Sequence, residues 1–218
     1  MIFTEKKKKF LIEKRDINKN TYFYEYDQKK FSSKVFINGY FESEKYFHQY
    51  KKELVSNLTI KNINFNNLFL DPQLIKNTNS ISIAVRKNRF SESSNSTYSL
   101  NKSIKFEKLT LEYISQSISF FRKKIKNPNF FIFSDDPSGL SDFFSSQKDC
   151  TVVLNEKDKI FSDFYLSSAC KHFIVGPTTF HWWSAYIANH PDKICVKPPE
   201  ELKFSSNRDI YPASWIKT

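Results

Sequence analysis

The chain has 218 residues, enough for one large domain or two small ones with a sizeable core. Its formal charge of +11 suits an anionic partner, a nucleotide diphosphate, an anionic glycan, a membrane surface or nucleic acid, although a Lys-rich coding bias, in a chain where Lys and Asn both abound, is the simpler source of the bulk charge. With 3 Gly against 23 Phe and 11 Tyr, the sequence holds no Walker or dinucleotide-type phosphate loop, and no repeat of aromatic and basic residues marks a nucleic-acid platform.

Residues 1–80 form a polar block rich in Lys, Asn and Tyr. Met1 leads into Lys6–Lys9 with no apolar h-region behind it, so no secretory signal is expected. No apolar run approaches the length of a membrane span. Short strands are expected at 21–26 and 34–37, with Asn38-Gly39 as a turn. Tyr46, Phe47, Tyr50 and Leu54 give residues 42–54 one partly apolar helical face. The Asn-rich stretch 62–79 reads as a linker.

From residue 81 onward strands and helices alternate. The pattern predicts strands at 81–86, 129–133, 150–154, 172–175 and 193–196. Between them it predicts helices at 109–124, 139–146, 161–169 and 180–187, the third capped by Asp158 or Ser162. Such alternation calls for a parallel sheet covered by helices, in which ligands bind outside the carboxyl ends of the strands. The loop after Arg86, the loop 134–136 and the loop 176–179 then share one edge. Cys150 and Cys195 sit in apolar runs and Cys170 closes a helix; without metal-ligand spacing, they read as buried free thiols of a cytoplasmic protein.

Those loops carry the candidate chemistry. Asp135 and Asp136 directly follow a buried strand, after Ser134. Adjacent residues of an extended segment point opposite ways, so one shared metal is not expected. A carboxylate here can accept paired hydrogen bonds from a guanine edge or from ribose hydroxyls, or can simply cap a helix. Thr178 and Thr179 precede a helix starting near Phe180, whose free amides and dipole suit a diphosphate; capping by Thr179 is compatible with that use. His181 can donate to phosphate or belong to the core. Trp182 and Trp183 are expected to pack the helix on the sheet. Arg86 ends the first strand, where a guanidinium suits a leaving diphosphate. Lys87 and Arg89 follow it and could be solvated surface. Glu92 is the nearest carboxylate that could act as general base.

At these residues the chain resembles the bacterial α-1,2-fucosyltransferases, and more distantly the α-1,6- and protein O-fucosyltransferases. The family's run of a strand, Phe-Ser-Asp-Asp, a short helix and a further strand matches 130–154. Its Leu-Cys-Lys-His helix end is similar to Ala169-Cys170-Lys171-His172, and its Asn-Ser-Thr-Phe-Ser-Trp-Trp-Gly-Ala-Trp run is similar to residues 177–186. Its Asp-Ile-Tyr-Pro-x-Ser-Trp-Ile close is present as 209–216, and its Gly-Tyr-(Trp/Phe)-x-Ser-Glu-Lys-Tyr-Phe segment as 39–47. Two departures stand out. The family's His-x-Arg-Arg-Gly-Asp is here Ala84-Val85-Arg86-Lys87-Asn88-Arg89, and nothing matches its N-terminal Gly-Gly-x-Gly-Asn-Gln-x-Phe-Gln turn.

The resemblance implies an α/β fold: a Rossmann-like parallel sheet as the donor-binding domain of a two-lobed GT-B-type glycosyltransferase, with an incomplete N-terminal lobe. Residues 1–80 would be the remnant of the acceptor-side lobe plus a linker, and 81–218 the nucleotide-sugar domain. It implies GDP-fucose as donor, inversion at the anomeric carbon and no metal or other cofactor. The acceptor would be a sugar hydroxyl, the galactose 2-OH, on a surface glycan or its lipid-linked precursor. It carries over Arg86 for the donor phosphate, Asp135 for guanine, and Thr179 and Phe180 for the diphosphate; Lys87, Ser134, Asp136, Thr178 and His181 complete the expected donor site. The expected location is cytoplasmic, held peripherally at the inner membrane face. A non-catalytic GDP-sugar-binding remnant and a basic protein binding an anionic polymer are the alternatives.

Overall fold

A computed structural model describes residues 9–25, 35–58, 60, 68–87, 89–90, 97–156 and 159–218. Glu92 and Asp158, the expected base and one expected cap, lie outside the described residues. The contacts divide the chain into two compact units: residues 1–50 with 205–213, and residues 51–204 with 214–218. Composition alone suggested a change at residue 80.

In the first unit, β1 (Lys9–Ile12) pairs in parallel with β4 (Val35–Asn38), and β2 (Lys14–Asp16) pairs antiparallel with β3 (Thr21–Phe23). Between β1 and β2 sits Glu13, a buried carboxylate that accepts from the Tyr40 amide at 2.8 Å, the Phe41 amide at 2.9 Å and Asn207 Nδ2 at 3.0 Å. These bonds meet the requirement that a buried charge be fully partnered. They also bring the backbone at Gly39 so near that a Cβ there would lie 2.4 Å from Glu13 Cβ. The returning segment 205–213 joins this unit through Arg208 N donating to Tyr22 O (2.8 Å) and through a 2.5 Å pair between Lys45 and Asp209.

The helix expected over 42–54 is instead two short 3₁₀ turns, Glu44–Tyr46 and His48–Tyr50, followed by α1 (Lys51–Leu58). Ser43 caps the first turn, accepting from Lys45 N, and Tyr46 is fixed edge-on against Phe41 (4.9 Å) and Tyr24 (4.8 Å). Those aromatic contacts bind the apolar residues to their own unit, which explains why the face does not continue as one helix.

The second unit holds the α/β alternation. Its first helix after α1 is α2 (Pro72–Asn77), inside the stretch expected to be a linker. Asp71 accepts from Gln73 N at 2.9 Å and Pro72 begins the helix, a start signal hidden by the surrounding Asn residues. There follow β5 (Asn79–Val85), α3 (Thr97–Lys124), β6 (Pro128–Ser134), α4 (Leu140–Phe144), β7 (Cys150–Val152), α5 (Lys159–Ser168), β8 (His172–Ile174), α6 (Thr179–Ile187) and β9 (Cys195–Val196). The five strands make one parallel sheet in the order β7-β6-β5-β8-β9. The order grows outward on both sides of β5, so the switch point lies between β5 and β8.

The two faces of β5 differ in residue size, and that sets what covers them. Ile81, Ile83 and Val85 join Phe130, Ile132, Ile174 and Val196 in a core closed by Phe106, Tyr113, Ile114, Ile118 and Phe121 of α3 and by Leu140 and Phe144 of α4. On the other face Ser80, Ser82 and Ala84 are small and buried, which lets α5 and α6 come close. A buried hydroxyl chain fastens that side. Ser82 and Ser167 share a 2.8 Å hydrogen bond, Ser167 donates to Ser184 at 3.0 Å, and Ser184 donates to the carbonyl of His181 at 3.0 Å.

α3 begins twelve residues before the expected 109 because its buried stripe includes Ser103, Thr110 and Ser117. Thr110 and Ser117 donate back to the carbonyls of Phe106 and Tyr113, both at 2.8 Å, so these polar residues sit in the core without orphaned hydroxyls. The three cysteines are free, and burial pushes the thiols of Cys150 and Cys195 up to about 12 and that of Cys170 higher still. Such thiols stay protonated and inert.

Candidate functional site

The carboxyl ends of β5, β6 and β8 border a cleft of about 380 Å³, lined by Arg86, Phe133, Ser134, Asp135, Ile160, Asp163, Thr178, Phe180 and His181. Sheet topology places it: each parallel strand delivers its following loop to the same edge, and the switch point separates those loops. Six of the expected residues thus converge here, namely Arg86, Ser134, Asp135, Thr178, Phe180 and His181.

Arg86 follows β5 directly, with Nε 3.6 Å from Asp135 Oδ2. Asp135 Oδ1 also accepts from the Lys87 amide at 3.0 Å. One carboxylate at the end of β6 therefore fixes both the guanidinium and the backbone at the end of β5. Ser134 Oγ donates to the Asp136 carbonyl at 2.9 Å and accepts from the Asp136 amide at 3.2 Å, shaping the turn that presents Asp135.

Asp136 is employed locally. Its Oδ1 accepts from the Ser138 amide at 3.0 Å and the Ser138 hydroxyl at 2.6 Å, making a side-chain turn ahead of α4. Lys87 Nζ donates to the Ser138 carbonyl at 2.7 Å and lies 3.6 Å from Glu107 and 3.7 Å from Asp136. Neither residue lines the cleft. Arg89 spans from the end of β5 to the next loop, donating to the carbonyls of Pro177 (3.0 Å) and Phe204 (3.2 Å).

On the β8 side, Thr178 is the N-cap of α6: its hydroxyl accepts from His181 N at 3.3 Å, and its carbonyl from Trp182 N at 3.0 Å. The amides of Thr179 and Phe180 precede the first acceptors of the helix and have no partner among the described residues. Thr179 itself is exposed beside the cleft and is not one of its lining residues. Trp182 is buried in a stack with Tyr186 at 4.7 Å and against Trp215 at 5.7 Å, in the packing role expected of it; Trp183 is half-buried, edge-on to Tyr186. Burial pushes the His181 imidazole down to about 4, against a partial upward pull from Asp135.

Three lining residues escaped the sequence reading: Phe133, expected only as part of a buried strand, and Ile160 and Asp163, both on α5. Asp163 is buried, and its Oδ1 accepts from Asn155 Nδ2 at 2.7 Å, while Asn155 Oδ1 accepts from the Phe69 amide at 2.8 Å. A signal was present. Asp163 is the one charged residue in the otherwise uncharged run 160–170, where a solvent-facing helix would carry several. The cleft thus combines apolar walls from Phe133, Ile160 and Phe180, two carboxylates, one guanidinium and free helix amides. Apolar walls with a few convergent polar groups suit a base and a phosphorylated chain. Among the described residues no group of three or more His, Cys, Asp or Glu could hold a metal ion, and no helix is long and apolar enough to cross a membrane.

Comparison with known proteins accords with this geometry. The chain is 27% identical over 186 residues to an α-1,2-colitosyltransferase of Escherichia coli, covering 82% of this chain and 61% of that protein. It is 28% identical over 109 residues to the O-antigen biosynthesis glycosyltransferase WbnK of Escherichia coli, covering 50% of this chain and 36% of that protein. The chain thus spans less than two thirds of the length of either relative. No solved structure matches it. The sequence model described as Glycosyl transferase family 11 matches residues 4–218, and with the parallel sheet and its cleft in place we conclude that the chain belongs to that family.

Proposed function

We propose that the protein is an inverting glycosyltransferase that moves fucose from GDP-fucose to a sugar hydroxyl, the galactose 2-OH, of a surface glycan or its precursor. The observation that carries this reading is the cleft at the β5/β8 switch point, where Arg86 stands opposite the α6 amides in a chain of family 11. The five-stranded sheet is the donor-binding half of a two-lobed enzyme in this reading. The diphosphate lies between Arg86 and the α6 N-terminus, and the base enters the slot walled by Phe133, Ile160 and Phe180.

The acceptor oxygen attacks the anomeric carbon from the face opposite the phosphate. The new C–O bond forms as the bond to the β-phosphate oxygen breaks, and the acceptor's proton leaves to a base, for which Glu92 is the candidate. GDP departs with growing negative charge, which Arg86 and the helix amides stabilise more in the transition state than in the ground state. No metal is needed for that neutralisation. The charge of +11 suits work at an anionic inner-membrane face, where lipid-linked acceptors reside.

The relatives' names support O-antigen chemistry and an α-1,2 linkage, and they make colitose the alternative sugar. Incubation with GDP-fucose and a β-galactoside, with product linkage read by NMR, tests the proposal. An α-1,2-fucosylated product supports it. Binding of GDP-fucose without transfer to any galactoside would overturn it in favour of another sugar or a binding-only protein.

A further inference from the structure

Gly176, between β8 and α6, has no room for a side chain. A Cβ there would stand 2.4 Å from His181 Nδ1 and 2.8 Å from both the Cβ and the carbonyl oxygen of Ala84. The imidazole is therefore seated against bare backbone, with Nδ1 turned into the gap between Gly176 and Ala84. Nδ1 is fully buried and has no hydrogen-bond partner among the described residues. The same ring lines the cleft, so Nε2 is the nitrogen on the ligand side.

This arrangement selects a tautomer. A buried N–H with nothing to donate to is rare and costs its full desolvation, whereas a bare lone pair is better tolerated. Placing the proton on Nε2 leaves only a lone pair in the dry gap. Asp135, from the end of β6, and Arg86, from the end of β5, act on the ring with opposite sign, and burial outweighs both, holding the imidazole near a pKa of about 4. The backbone that carries the ring is tied to the buried serine chain, since the His181 carbonyl accepts from Ser184 at its end. Both ends of the gap depart from the family wording, which has histidine at position 84 and serine at position 181.

The geometry points to His181 as a phosphate-binding residue of the cleft: a neutral imidazole whose Nε2–H donates a single hydrogen bond to a phosphate oxygen of the bound nucleotide, fixed in that tautomer because Nδ1 is packed without a partner between Gly176 and the methyl of Ala84. This assignment rests on the donor-site reading above. An imidazole supplied from helix α6 adds direction to the phosphate contact without adding charge. Affinity for GDP-fucose, whose two phosphates are both esterified and do not titrate in this range, therefore stays level as pH falls from 7.5 to 5.5, where an ordinary histidine would gain a proton and tighten the complex.

The test begins with the free protein. Two-bond ¹H–¹⁵N correlation spectra of ¹⁵N-histidine-labelled protein at pH 7 read the tautomer directly, the His181 signals being identified by their loss in His181→Asn. A protonated Nε2 with a bare Nδ1, and a shift of the Nε2 signal on adding GDP, support the inference. A protonated Nδ1, or an imidazolium at pH 7, overturns it. Titration of GDP into variants gives a second reading. Glutamine can place its amide N–H near the Nε2 position, whereas asparagine reaches only the Nδ1 position and phenylalanine offers no donor. His181→Gln should keep affinity within about threefold of the wild type, while His181→Asn and His181→Phe lose about tenfold. Wild-type affinity in His181→Phe would reduce the ring to packing and overturn the assignment. If the wild type binds no GDP, the donor-site reading and the phosphate contact fall together, and the free-protein spectrum still decides the tautomer.

Discussion

Asp135 and Asp163 line one cleft yet are held by different partners. Asp135 grips Arg86 and the Lys87 amide, so its removal should act through the guanidinium it positions. Asp163 is anchored by Asn155 beneath the apolar slot, where a carboxylate can accept the N–H edge of a guanine. We therefore expect Asp163→Asn to weaken GDP roughly ten- to hundredfold by titration while leaving the weaker affinity for pyrophosphate within about twofold. An equal loss for both ligands would show that Asp163 merely supports the fold. At this scale the sequence was legible wherever a polar residue broke an apolar strand, as at Arg86, Ser134-Asp135 and Thr178. It was opaque for Asp163, whose place depends on a helix crossing the sheet edge, and for Arg89, whose carbonyl partners are 88 and 115 residues away.

Elements with one-sided packing were the readable ones. β5, β6 and β8 announce themselves as short apolar runs ending in charge or Gly, and all three occupy the expected positions within two residues. β1 and β2 are built from KFLI and KRD beside a lysine-rich start, so their pairing is set by partners rather than by propensity. The N-terminal half of α3 was obscured because hydroxyl side chains fill part of its buried stripe.

β8 also carries a consequence for pH. His172, its first residue, is buried against Phe121, and its Nδ1 accepts from the Ile194 amide at 3.2 Å. Burial first, then His190 and Lys171, push it down to about 4 from 6.5, against the pull of Asp192. The unfolded chain therefore binds more protons than the folded one between those values, both here and at His181. The contribution of these two rings to stability is full above pH 6.5 and is lost as pH falls towards 4. Thermal unfolding should show the midpoint dropping through that window, with part of the drop removed in His172→Gln. A midpoint unchanged from pH 6.5 to 4.5 would contradict the burial of these rings.

At the scale of the whole chain, the two units are not consecutive pieces. The segment 205–213 returns to the first unit, where its Asp209 meets Lys45 of the 39–47 motif, 164 residues away. Two stretches that carry the family wording thus prove to be partners, a pairing no local pattern in the sequence discloses. The second unit holds the sheet, the cleft and every described residue to which the donor site is assigned. The proposed function requires this cleft to be a guanine-nucleotide site with Arg86 on the diphosphate. Calorimetric titration of GDP and UDP into the wild type and Arg86→Ala tests it most directly. GDP should bind at least tenfold tighter than UDP, with a loss of about tenfold or more in Arg86→Ala. Equal affinity for the two nucleotides, or GDP binding that ignores the loss of Arg86, would contradict it.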